Sequence, residues 1–303
     1  MKLLLTGAFN YNIEQIEKIK LLGFNVFFVQ DEQKQVQDEM LDVDCVICNA
    51  LFLYNDIKLF KNLKYIQLTS VGTDRIPLEY VCEHNITLKT AGNVYSVPMA
   101  EWTVLKILEI FKSSRFFYEM QSQNIWEKKR NLREMLGKTA VIVGFGNVGQ
   151  EIAKRLRGFD VNIIAVDIRK IGEGLWDKFF LFENLDEALS KGDMVILTLP
   201  LTDETHGLFG ENRFSVMKSG AILINIARGG LINEQAFIKA LHNGILSGAA
   251  LDVFEVEPLP PASPLWDMEN VIITPHNSFV SDKVNERLFN LIISNLAERN
   301  IHA

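Results

Sequence analysis

Cysteine is scarce: the chain has three, Cys45, Cys48 and Cys82, too few and too poorly spaced for a disulfide framework. Cys45 and Cys48 do form a C-x-x-C. They lie in DVDCVICNA, however, which reads as a buried strand, where positions three apart face opposite sides and cannot pair locally. Neither a redox pair nor a metal site is expected there. Basic charge is also in deficit, with 31 Lys and Arg against 38 Asp and Glu, a net charge of -7 and a pI near 5.4. That balance disfavours nonspecific binding to nucleic acid or to an anionic membrane. No apolar stretch reaches the roughly 20 residues of a membrane helix, and the opening MKLLLTGAF is too short an apolar run for a signal peptide. A cytoplasmic protein is the expectation.

What is present is the composition of an ordinary globular enzyme: 48% hydrophobic residues, 23% charged, and 20 Phe. At 303 residues the length suits two domains. Short apolar runs (KLLLTG, NVFFVQ, CVICNA, YIQLTS) alternate with polar or helical stretches over the first hundred residues. The helix NIEQIEKIKLLG is expected to set Ile13, Ile16 and Ile19 on one face and to end at Gly23. A second alternation starts at TAVIVGFGNVG and continues through VNIIAVD, MVILTLP, AILINIA and GAALDVF to VIITPHNS. Strand and helix in alternation imply parallel sheets covered by helices. Between the halves lies a strongly apolar helix, VPMAEWTVLKILEIFK, of the kind buried between domains or subunits. The last helix keeps Val284, Leu288, Leu291 and Leu296 at helical spacing, and its place after the final strand allows it to return to the first domain. The expected architecture is α/β, two doubly wound parallel-sheet domains. A flavodoxin-like substrate domain comprises 1–97 and 276–303, and a Rossmann-type nucleotide domain comprises 98–275.

Gly144, Gly146 and Gly149 form G-x-G-x-x-G between an apolar strand, Ala140 to Val143, and a helix carrying Val148, Ile152 and Leu156. Glycines in that context permit a tight turn, close approach of backbone to a pyrophosphate, and close helix–strand packing, with the anion at the helix N-terminus. Asp167 closes the next strand, where a carboxylate accepts both ribose hydroxyls of NAD and repels a 2′-phosphate. NAD is therefore expected over NADP, although Arg169 partly offsets the repulsion. A methyltransferase nucleoside site would share this fingerprint, so the choice rests on other residues.

Three such residues follow apolar strands: Arg228 in INIARGGLINEQAF, Glu257 in ALDVFEVEPLP and His276 in VIITPHNS. Open parallel sheets bind ligands beyond the carboxyl ends of their strands, so these side chains can converge. Reduction of a 2-oxo acid needs a cation for the carboxylate and ketone, an acid for the forming alkoxide, and a group that keeps the acid charged. Arg228 can fork two donors to carboxylate and carbonyl. His276 suits the acid in reduction and the base in oxidation, and Glu257, in contact with it, would favour the imidazolium.

Taken together, LTSVGTD, the glycine loop with Asp167, GDMVILTLPLTDETHGLF, the Arg228 segment, LDVFEVEPLP and TPHNS occur in the order of one family. The chain resembles the D-isomer-specific 2-hydroxyacid dehydrogenases over nearly its whole length. The resemblance implies Arg228, Glu257 and His276 as the catalytic trio and the backbone of Ser70, Val71 and Gly72 as a cradle for the substrate carboxylate. It further implies Asn147 and Val148 at the pyrophosphate, Leu199 and Thr205 along the cofactor, and Ile226, Ala227 and Asp252 near the nicotinamide end. Core packing is the alternative for Leu199, and a strand-end cap for Asp252. A small 2-oxo or D-2-hydroxy acid as substrate and a homodimer built on the nucleotide domains are likewise implied, and domain closure should exclude water. The chain stops soon after its last helix, so the regulatory domain of some phosphoglycerate dehydrogenases is not expected.

Two positions depart from the family pattern. Tyr95, in GNVYSVPMAEW, stands where a small or amide residue is common, and either faces the site or packs. Arg75 replaces a neutral residue after the Gly-x-Asp turn, where it greets a second acidic group or stays solvated. The competing class is a nucleotide-sensing binding protein of the corepressor type, which shares this fold.

Overall fold

The structure is a computed structural model that describes residues 1–300, and it forms two compact units. One comprises Met1–Tyr95 with the chain from Ser281 onward, and the other Ser96–Val280. The second unit thus begins at Ser96, the start of a helix, rather than at residue 98, and runs to Val280 rather than to 275. Residues 276–280 stay with it because the backbone N–H groups of His276, Asn277 and Ser278 are all tied to Asp252.

In the first unit, β1 (Lys2–Thr6), β2 (Asn25–Val29), β3 (Cys45–Cys48), β4 (Tyr65–Leu68) and β5 (Thr87–Lys89) form one parallel sheet in the order β2-β1-β3-β4-β5. Its central strands β1, β3 and β4 are buried on both faces, so neighbouring residues feed different cores. Leu3, Leu5, Cys45 and Ile47 face one cluster, whereas Leu4, Val46 and Cys48 face the other. The two cysteines of the C-x-x-C therefore lie on opposite sides of the sheet. The helix Val284–Asn300 closes the first cluster with Val284, Leu288, Ile292 and Leu296.

The helix Ile13–Leu21 starts with a capping box between Asn12 and Gln15 and leaves through Gly23 at φ +88°. Ile19 is fully buried, but Ile13 is 83% exposed. The expectation of one shared face fails because six residues turn a helix by about 600°, which sets Ile13 and Ile19 about 120° apart around the axis.

In the second unit, β6 (Thr139–Val143), β7 (Asn162–Asp167), β8 (Lys178–Leu181), β9 (Met194–Leu197), β10 (Ala221–Asn225), β11 (Leu246–Leu251) and β12 (Val271–Ile273) form a parallel sheet ordered β12-β11-β10-β9-β6-β7-β8. Val141 and Val143 enter one core and Ala140 and Ile142 the other. The helix Ser96–Phe111 lays Ala100, Ile107 and Phe111 into the second of these. Strand order reverses between β6 and β9, and a crevice at such a switch point is where doubly wound sheets take ligands. The short strands β5 and β8 were not anticipated. Among the described residues, no helix is long and apolar enough to cross a membrane.

Candidate active site

The three glycines after β6 do different jobs. Gly144 sits at φ +89°, and a Cβ there would lie 2.7 Å from the backbone nitrogen of Leu199. At Gly149 a Cβ would lie 2.5 Å from the carbonyl oxygen of Gly144. Both are demanded by packing, which clamps the turn between β9 and the helix Asn147–Arg157. Gly146 differs: nothing lies within 4 Å of its absent Cβ. It occupies the N-cap without any side-chain cap, so the first N–H groups of the helix, beside exposed Asn147 and half-buried Val148, remain for an anion. Thr198, which the sequence reading did not single out, donates its hydroxyl to the Gly144 carbonyl and its N–H to Val143.

Asp167 ends β7 beside this loop. Its Oδ2 accepts the Phe145 N–H at 2.7 Å and its Oδ1 accepts the Ile168 N–H at 2.8 Å, which fixes a half-buried carboxylate against the glycine turn. Arg169 is exposed. Leu199 is buried in the core. Thr205 accepts the Thr202 N–H at 2.7 Å and donates to the Pro200 carbonyl at 2.8 Å, so its hydroxyl shapes the turn after β9. An uncapped helix start, an open Gly146 and a carboxylate beside the loop fit a dinucleotide.

Past β10 the chain turns under the control of Asn225, fully buried and also missed in the sequence. Its Oδ1 accepts the Ala227 N–H at 3.0 Å and its Nδ2 donates to the Arg228 carbonyl at 2.9 Å. Ile226 and Ala227 are consequently buried, while Arg228 is half-buried with Nη1 donating to the Ala227 carbonyl at 2.8 Å. At Gly229 a Cβ would fall 1.8 Å from the carbonyl carbon of Phe254. Only glycine lets the Arg228 turn lie on the loop after β11.

That loop carries Glu257. One carboxylate oxygen, Oε1, accepts the Phe254 N–H at 2.9 Å, and the other, Oε2, meets His276 Nδ1 at 2.8 Å. A carboxylate only accepts, so Nδ1 bears the proton and Nε2 is the nitrogen left to exchange one. Both side chains stay about one-third exposed, at 34% for His276 and 36% for Glu257, and so remain within reach of a ligand.

His276 has a left-handed backbone, φ +49°, which costs a non-glycine residue roughly 1–2 kcal/mol. Asp252 holds it there. Its carbonyl accepts the His276 N–H at 2.8 Å, its Oδ1 accepts the Asn277 N–H at 2.8 Å and the Thr274 hydroxyl, and its Oδ2 accepts the Ser278 N–H at 2.9 Å. The fully buried Asp252 carboxylate thus organises the histidine turn from the end of β11.

The remaining expected residues, Ser70, Val71 and Gly72, follow β4 in the first unit. Their neighbours hold the carbonyls of this segment: the Ala91 N–H reaches the Ser70 carbonyl at 2.8 Å, and the Ser70 hydroxyl reaches the Gly72 carbonyl at 3.1 Å. Among the described residues the N–H groups of Ser70, Val71 and Gly72 have no protein acceptor, and Val71 is 47% exposed. Successive outward N–H groups of this kind suit an anion. Arg75 is half-buried. No group of three or more His, Cys, Asp or Glu side chains able to hold a metal occurs among the described residues.

The fold and the loop after β6 define a doubly wound dinucleotide-binding protein. The family model described as D-isomer specific 2-hydroxyacid dehydrogenase, NAD binding domain, matches residues 104–278. The chain is 38% identical to a glyoxylate reductase from Thermofilum pendens, over 78% of this chain and 71% of that protein. A D-3-phosphoglycerate dehydrogenase from Archaeoglobus fulgidus is 34% identical over 73% of this chain, which spans only 42% of that longer relative. Among solved structures, a glyoxylate reductase from Paecilomyes thermophila superposes with a TM-score of 0.86 at 25% identity, covering 99% of this chain and 95% of that one. The chain belongs to the D-isomer-specific 2-hydroxyacid dehydrogenase family, and is an oxidoreductase that acts on 2-hydroxy acids with a nicotinamide dinucleotide.

Proposed function

We propose that the protein interconverts a small 2-oxo acid and the D-2-hydroxy acid, with NAD(H) preferred over NADP(H). The observation that carries this reading is the chain of contacts from the Phe254 N–H through Glu257 to His276 Nδ1, set beside the Arg228 turn by Gly229. The nicotinamide, when bound, supplies or accepts the hydride. Arg228 holds the carboxylate and polarises the ketone with a charged, planar fork. His276 gives the proton from Nε2 to the ketone oxygen: one N–H bond breaks as the O–H forms, and the reverse reaction returns it. Glu257 orients the ring through Nδ1 and faces its positive charge. The N–H groups of Ser70, Val71 and Gly72 serve the substrate carboxylate.

On the cofactor side, Gly144, Gly146, Asn147, Val148 and Gly149 carry the pyrophosphate, and Asp167 carries the ribose hydroxyls. Leu199, Thr205, Ile226, Ala227 and Asp252 shape the wall along which the cofactor lies, Thr205 and Asp252 by holding turns. A paired acid and carboxylate favours turnover over a purely nucleotide-sensing role. The same reading includes a cytoplasmic homodimer. In support of self-association, the helix Ser114–Ser122 and the segment after it expose Tyr118, Ile125 and Trp126, at 63%, 45% and 95%.

The test is His276→Ala. Turnover of glyoxylate or hydroxypyruvate should fall by at least about a hundredfold, while NADH still binds as judged by its fluorescence. Wild-type turnover in this variant would sink the mechanism.

A further inference from the structure

The surroundings of Tyr95 give it a task. It packs against the core of the first unit, and its hydroxyl donates to the carbonyl of Thr69. That carbonyl belongs to the peptide plane whose opposite edge is the Ser70 N–H. A trans peptide is rigid and planar, with C=O and N–H directed oppositely, so a bond that fixes one aims the other. Two further planes are held by the same logic. The Ala91 N–H on the Ser70 carbonyl sets the next plane, which carries the Val71 N–H, and the Ser70 hydroxyl on the Gly72 carbonyl sets the plane of the Thr73 N–H at the far end of the segment.

The source of each hold is firm. Ala91 is fully buried, and the Val94 N–H bonds back to it at 3.1 Å. Beside them, Gln67 donates to the carbonyls of Leu68 and Thr90 and accepts from Asn295 on the last helix at 2.7 Å. Tyr95 itself is the first residue before the helix Ser96–Phe111. Burial pushes its phenol up to about 12, so the hydroxyl remains a donor throughout the range in which the protein is assayed. Donation to a carbonyl also polarises the peptide and strengthens its N–H as a donor.

We propose that Tyr95 is a positioning residue that aims and strengthens the Ser70 N–H for the substrate carboxylate. The proposal rests on the reading of Ser70, Val71 and Gly72 as the carboxylate cradle. It answers the two alternatives left by the sequence: the hydroxyl turns to the cradle's own backbone, and the ring packs. Substrate affinity, not the chemical step, is where such a residue acts, because the carboxylate is held equally before and during proton transfer.

Tyr95→Phe keeps the ring and its packing while removing only the donor. With NADH-loaded protein titrated with oxalate, the variant should bind oxalate about fivefold more weakly, the effect of one lost hydrogen bond. KM for glyoxylate should rise by a similar factor, with kcat within about twofold and NADH affinity unchanged. A purely structural tyrosine would instead lower Tm and leave oxalate affinity and KM intact, and that result overturns the proposal. Wild-type protein that binds no oxalate while it still reduces glyoxylate overturns the cradle reading and this proposal together. Oxalate bound equally by wild type and variant overturns the role of Tyr95 alone.

Discussion

Single residues here are decided by what their polar atoms already hold. Asp167 is the clearest case for function, because its two oxygens lie against Phe145 and Ile168 yet each keeps a further lone pair for a ribose hydroxyl. A full negative charge at that place disfavours a 2′-phosphate. Wild type should therefore bind NADH more tightly than NADPH, and Asp167→Asn, which keeps an acceptor and loses the charge, should narrow the gap about tenfold. Fluorescence titration with both cofactors measures this; a preference for NADPH in the wild type would refute the assignment. Asp252 shows the other side of the rule. Its carboxylate is occupied by Thr274, Asn277 and Ser278, so its hold on His276 runs through the backbone of that turn.

At the scale of elements, the sheet of the second unit is pinned at its amino edge by Asp193. Its Oδ2 accepts the Thr139 N–H at 2.9 Å and its Oδ1 meets Lys218 at 2.6 Å, which joins the starts of β6 and β9 to the turn before β10. Burial alone would raise this carboxyl, but the Lys218 ammonium and the Thr139 N–H outweigh it and hold it below its ordinary value. A depressed folded-state value means stabilisation that is present above the unfolded value, about 4, and lost as pH falls through the folded one. Asp193→Asn should thus cost about 1 kcal/mol at pH 7, or a Tm drop of about 2–4 °C. The two melting curves should converge in acid; a gap constant from pH 7 to pH 3 would show that the charge contributes nothing.

The elements also show what a sequence can disclose. Apolar strands such as β1, β6 and β9, and the motifs that follow them, were legible because burial on both faces writes itself as an unbroken hydrophobic run. The edge strands β5 and β8 were not. Three of their side chains, Thr87, Lys89 and Lys178, are polar, and the burial of both strands is patchy. Arg228, Glu257 and His276 stood out because charge at a strand end is conspicuous. Asn225 and Thr198 did not, since a carboxamide or hydroxyl spent on a neighbouring turn is visible only once the turn exists.

For the molecule as a whole, the proposed homodimer has a simple signature. Sedimentation should give twice the chain mass of 34.5 kDa, about 69 kDa. Trp126→Asp, which places a charge where a 95% exposed apolar side chain stands, should move the equilibrium toward the single chain without lowering the Tm of the protomer. A single-chain mass for the wild type at micromolar concentration would refute self-association.

The return of the helix Val284–Asn300 to the first unit bears on how the protein is made. On the ribosome, Leu3 and Leu5 emerge early, but Ile292 and Leu296, which share their core, emerge after the whole second unit. Synthesis therefore completes the inserted unit before the one that frames it. For most of translation, one side of the first sheet has Ile19 and Phe24 against it but lacks the rest of its cover. The nascent chain is consequently exposed to aggregation through its oldest strands, and it is the most recently made helix that ends the hazard.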